Sequence, residues 1–173
     1  MEHQPEPATE DIGGQAPDAG IYGEDGVIRP VFLAHVGAAI ADRDTLVLRK
    51  EVGDLHQSEL GDLLEALLPE QRRALVELLG ADFDFSPLTE VDEAIRIEIG
   101  DGLPNAQIAK AVQELDSDDA VYILEDLDQE DQDEILAQLP FTERIRLRRS
   151  LDYPEESAGR RMQTEFVAVP PFW

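Results

Sequence analysis

Residues 103–140 read LPNAQIAKAVQELDSDDAVYILEDLDQEDQDEILAQLP, and leucine falls at Leu103, Leu115, Leu127 and Leu139, one every twelve residues. Followed outward, the same register holds Leu55, Leu67, Leu79 and Leu151, with Val91 at the one position where leucine is missing. Twelve residues advance roughly 120° beyond whole turns of an α-helix, so such a ladder cannot line one face of a continuous helix. A helix must break in every period. The residues after the rungs are suited to breaking it: Pro69, Pro104 and Pro140 cannot continue a helix, Gly80 stops one, and Asp116, Asp128 and Asp152 are N-cap or turn residues.

Each unit then consists of one short helix and a tight turn. Three and four places before the rungs stand Leu63 and Leu64, Leu75 and Val76, Ala111 and Val112, Ile123 and Leu124, Ile135 and Leu136. That spacing marks one face of a helix. Helices of about eight residues are marginal alone, so the apolar stripes must dock on neighbouring units. The expected fold is all-α, a superhelical solenoid of short helices; an irregular bundle with accidental spacing is the alternative. Upstream of the ladder, Val31–Ile40 following Pro30 and Thr45–Val52 read as two further helices. Residues 1–29, rich in proline, glycine and acids, read as a disordered acidic tail. At the other end, Phe166-Val167-Ala168-Val169 reads as a short extended segment. A lone strand is unstable, which predicts a further domain after it.

Composition excludes several functions. The 173 residues carry 39 acids against 14 Lys and Arg, a formal net charge of −25, which repels nucleic acid and anionic lipid and favours cations or basic partners. With no cysteine there is no disulfide framework, thiolate metal site or cysteine nucleophile. No stretch is long and apolar enough to insert into a membrane. His3, His35 and His56 lie apart from any recognisable nucleophile or ligand spacing, and catalysis is not expected.

The acids are concentrated between Asp116 and Glu134, where no Lys or Arg balances them. Capping accounts for part of this run: Asp116 or Ser117 for one helix, Asp128 for the next. The surplus carboxylates suit hard divalent cations, Mg2+ or Ca2+. A calcium loop beginning at Asp82 would place Asp84, Ser86, Glu90 and Glu93 at ligand positions, but Pro87 stands where the turn requires glycine. Phe83, Phe85 and Leu88 instead suggest an insertion pinned to the core. Arg144, Arg146, Arg148, Arg149, Arg160 and Arg161 follow the acidic run and read as its intramolecular counterweight.

The junction Tyr153-Pro154-Glu155-Glu156-Ser157-Ala158-Gly159-Arg160-Arg161-Met162, leading to Phe166–Val169, resembles the passage from the helical cytosolic N domain to the CBS domains in MgtE-type magnesium transporters. The ladder from Leu55 to Asp152 resembles that N domain. The resemblance implies a right-handed superhelix at 30–152, with 153–173 a linker and the start of a truncated CBS domain. It further implies a Mg2+-sensing regulatory domain on the cytoplasmic side of the membrane. Its partners would be the CBS and transmembrane domains of the same homodimeric protein, and Mg2+ bridging the acidic faces would favour a closed pore.

By the same resemblance, Asp118 and Asp119 match the acidic helix start that supplies Mg2+ ligands. The acid expected one turn later is replaced by Tyr122, and Asp126 is the compensating candidate. Two other readings stay open: the regulatory domain of a soluble CBS protein without a pore, and a protein-interaction solenoid like the flagellar switch repeats.

Overall fold

The computed structural model describes residues 20–164; the extended segment expected at 166–169 and most of the expected tail lie outside them. Nine α-helices are found among the described residues: α1 Pro30–Ala41, α2 Thr45–Val52, α3 Gln57–Ala66, α4 Pro69–Leu79, α5 Glu93–Asp101, α6 Asn105–Glu114, α7 Ser117–Leu124, α8 Gln129–Gln138 and α9 Phe141–Leu151. The protein is all-α in this region, and the breaks fall where the ladder demands them. Leu67, Leu115 and Leu139 are each the residue at which the backbone leaves the helix for extended geometry. Pro69 opens α4 at its first position, where its missing N–H has no intrahelical partner to lose. Gly80 closes α4 with φ +54°, a conformation that side chains resist.

The rungs themselves are not the deepest residues. Leu55, Leu103, Leu115, Leu127 and Leu151 are half-buried, whereas Leu63, Leu64, Leu75, Leu124, Ile135 and Leu136, three or four places earlier, are fully enclosed. The helical stripe therefore holds the core, and the rung seals the turn above it. Leu127 does this against α5, where a Cβ on Gly100 would stand 3.5 Å from its Cδ2. Packing is local along the chain: α6 meets α7 and α8, α9 meets α7 and α8, and α1, α2 and α4 form one cluster. Nearest-neighbour contact is how short amphipathic units bury their stripes.

The irregular insertion is pinned as expected. Two 3-10 turns, Gly80–Asp82 and Ser86–Thr89, replace a helix, and Phe83, Phe85 and Leu88 are buried, the two rings meeting edge to face at 5.1 Å. Asp84 is spent locally, accepting bonds from the Ser86 backbone N–H and hydroxyl, while Asp82 pairs with Arg49 at 2.6 Å. The second turn wedges between α3 and α7. Gly61 of α3 permits this approach, since a Cβ there would lie 3.3 Å from the Cβ of Glu90.

The residues just before α1 correct the tail reading. Tyr22 and Ile28 form an antiparallel bridge around a turn, and Ile21 and Ile28 are buried in the core. The phenol of Tyr22 donates to Asp62 at 2.6 Å, and that bond, with burial and the negative charge nearby, raises its pKa to about 12. The two isoleucines are too widely separated in a polar stretch to register as a periodic element, although together they suffice to seat the turn.

Candidate metal site on the seventh helix

Helix α7 is short and buries Ala120, Val121, Ile123 and Leu124, leaving its first turn to Asp118 and Asp119. Carboxylates at that end are favoured by the unpaired N–H groups of the helix start. The expected cap is absent, however. Asp116 occupies the N-cap position without bonding the helix N–H groups; its Oδ2 instead accepts from the Gln163 side chain at 2.9 Å, and the Ser117 hydroxyl accepts from the Thr164 N–H at 2.8 Å. The chain after α9 has taken both capping groups. Asp128 does cap α8, accepting from the Asp131 N–H at 2.9 Å.

Most neighbours in the acidic run find partners far away in sequence. Arg96 of α5, only 4% exposed, pairs with Asp126. Glu125 is shared by Arg160 at 3.1 Å and Arg161 at 2.6 Å. Arg148 reaches Asp133 at 2.6 Å, and Asn105 donates to both Asp131 and Glu134. The arginines after the run thus do supply part of its counterweight. Tyr122, standing where another acid was expected, lies beneath the guanidinium of Arg96, 3.9 Å from its ring centroid, with that of Arg161 at 5.2 Å.

Asp118 and Asp119 have no cationic partner among the described residues. One oxygen of Asp118, Oδ1, is buried without a hydrogen-bond partner, an arrangement that costs free energy unless something supplies positive charge. Burial, then the charges of Asp118, Asp116 and Glu90, push the Asp119 carboxyl above its ordinary value of 3.8. Glu90 arrives from the insertion, and its nearness to α7 is missed in the sequence, where it figures only in the rejected calcium loop. Among the described residues no three ligating side chains converge to hold a metal on their own.

The candidates therefore separate. Asp118 and Asp119 share an uncompensated surface with Asp116 and Glu90, whereas Asp126, beyond the end of α7, is engaged by Arg96 and falls outside that group. His56 is a structural cap, its Nδ1 accepting from the Ser58 N–H while Glu59 bonds back to the His56 N–H.

Crowding at Asp119 has a measurable sign. Its raised folded-state pKa means that the native protein binds more protons than the unfolded chain between that pKa and the ordinary value, so stability rises as the pH falls through this window. At neutral pH the charge opposes folding. Asp119→Asn is expected to raise the midpoint of thermal unfolding by roughly 1–3 °C at pH 7 without divalent cations. The gain should shrink on acidification, as scanning calorimetry across pH would show.

Comparisons with known proteins agree with this architecture. A family model described as the MgtE intracellular N domain matches residues 55–156, beginning at the first rung. The crystal structure of the soluble part of a magnesium transporter superposes with a TM-score of 0.67 at 23% identity, over 79% of this chain and 54% of that one. The crystal structure of the cytosolic domain of the Mg2+ channel MgtE in complex with ATP gives 0.66 at 26% identity, over 79% and 56%. The chain thus spans little more than half the length of either structure. No curated protein sequence matches it. Because the matched family model covers more than half of the chain, with its helices in the same fold, this protein belongs to the family of MgtE intracellular N domains.

Proposed function

We propose that this domain is the cytosolic Mg2+ sensor of a magnesium transporter or channel, and that Asp118 and Asp119 contribute carboxylates to Mg2+ shared with the CBS domains of the same homodimeric protein. The observation that carries the reading is the contrast between the first turn of α7 and the residues just past its end. Glu125 and Asp126 are matched by arginine, while Asp118 keeps a buried oxygen without a partner and Asp119 is crowded by like charge. Family membership and the magnesium transport named for both structural neighbours support the same cation.

The mechanism follows from repulsion. Asp116, Asp118, Asp119 and Glu90 form a surface that disfavours apposition to another acidic face until a cation intervenes. Mg2+ retains much of its hydration shell and commonly uses one or two protein carboxylates, so a half-site on this domain suffices. At high cytosolic Mg2+ the domain docks and the pore closes; at low Mg2+ the uncompensated carboxylates push it away. Moving the equilibrium from 1:99 to 99:1 requires about 5.5 kcal/mol of differential binding, which several such sites in a dimer can share. Magnesium titration followed by backbone amide shifts tests the assignment. Shifts centred on Asp116–Ala120 and Glu90 are expected, and their absence would overturn it.

A further inference from the structure

The segment after α9 hydrogen-bonds to groups at both ends of α7. Its first half folds on itself: Ser157 donates its hydroxyl to the Pro154 carbonyl at 2.6 Å, and the Arg160 N–H donates to the Ser157 carbonyl at 3.1 Å. Gly159 lies against the ring of Tyr153, so close that a Cβ would stand 2.9 Å from Cδ1. The Tyr-Pro-Glu-Glu-Ser-Ala-Gly run beginning at Tyr153 thereby encodes a compact turn that aims Arg160 inward.

Arg160 is buried and does two jobs. Its Nη1 donates to the carbonyl of Leu151, an orphan acceptor at the end of α9, and to that of Tyr153 beyond it, and its Nε donates to Glu125 just past the end of α7. Arg161 takes the other oxygen of Glu125 at 2.6 Å. Beyond them, Gln163 and Thr164 hold Asp116 and Ser117 at the opposite end of the same helix. The segment is fastened at both ends of α7.

We infer that residues Tyr153–Thr164 are a strap that fixes the outgoing chain along α7, with Glu125 the latch closed by Arg160 and Arg161. The latch is charged on both sides and only about 10% exposed at Glu125 and Arg160, so it is screened less than a surface pair and strengthened by direct hydrogen bonds. Opening it releases Arg160 and Arg161 from the end of α7, leaves Gln163 and Thr164 bonded to Asp116 and Ser117, and keeps the helices that precede the strap in place. The strap is a switchable joint: closed, it ties Arg160 and Arg161 to the C-terminal end of α7; open, it leaves the segment attached to α7 only at the first turn.

Amide hydrogen exchange on the whole chain, in buffer without divalent cations, tests the joint independently of the magnesium reading. Glu125→Gln is expected to speed exchange at the Arg160 and Arg161 amides by roughly tenfold or more, leaving α1–α4 unchanged. Arg161→Ala, at an exposed position, should give a smaller acceleration confined to the same amides because Arg160 still holds Glu125. Wild-type exchange at those amides in both variants would overturn the strap. So would acceleration of equal size in α1–α4, because that would report general destabilisation rather than an opened latch.

Discussion

Replacing Arg96 by alanine is expected to destabilise the domain by about 3–5 kcal/mol, because it strands a carboxylate that the fold has already removed from most of the solvent. Asp126 is only 11% exposed, and Arg96 is its ion-pair partner. The same guanidinium covers Tyr122 at 3.9 Å, so the truncation also opens a gap above that ring. Burial lowers the proton affinity of Arg96, but the bonds to Asp126 and Tyr122 more than offset it, and the group stays charged. The pair links α5 to the residue just beyond α7 across thirty positions of sequence. Urea unfolding monitored by circular dichroism provides the measurement. Replacing both partners, Arg96→Met with Asp126→Leu, should recover much of the loss, because well-packed apolar groups of similar volume substitute for a buried pair. A loss below about 1 kcal/mol for Arg96→Ala would mean that water reaches Asp126 and that the pair is peripheral.

Leu124→Ala is expected to cost about 3–5 kcal/mol, while Leu127→Ala, at the rung three residues later, should cost roughly half as much. Leu124 has no exposed surface and sits in the stripe with Ala120, Val121 and Ile123; Leu127 closes the turn and keeps one side toward solvent. The order is opposite to what the sequence suggests, since the periodic leucines are the conspicuous ones. Periodicity marks where helices end. Burial depends on which residues face the neighbouring units, and those lie three and four places earlier. Equal losses at both positions would show that the rungs, rather than the stripes, carry the core.

The same distinction explains how much of the molecule was readable. Breaks at Pro69, Gly80, Pro104 and Pro140 are local chemistry, since each residue stops or starts a helix by its own backbone constraints, and the structure places helix boundaries beside all four. The insertion around Phe83 was legible as pinned because three large apolar residues cannot all face water. The capping of α7 was not. Asp116 and Ser117 have the right chemistry for a cap, but Gln163 and Thr164, distant in sequence, compete for them and prevail.

Side-chain pairing across units was hidden for a related reason. Arg96 in a helical stretch looks solvated, and Asp126 next to an acidic helix looks available; only folding brings them together. Resemblance to the acidic helix start of MgtE-type N domains nominates Asp118 and Asp119, yet the sequence does not reveal that they are left without a cation while nearby acids are matched. Glu90 figures in the sequence only as a member of a calcium loop that Pro87 rules out, and nothing there connects it to α7, because the insertion that delivers it interrupts the period at Val91. These long-range matches turn a uniformly acidic stretch into one localised excess of charge.

Backbone amide shifts during a millimolar Mg2+ titration, compared with sodium chloride at matched ionic strength, test that excess most directly. The account predicts saturable shifts at Asp116–Ala120 and at Glu90 in the wild type, absent in Asp118→Ala with Asp119→Ala, and not reproduced by Na+, which screens charge without occupying a site. Shifts spread evenly over all acidic helices, identical for both salts and indifferent to the double substitution, would contradict it.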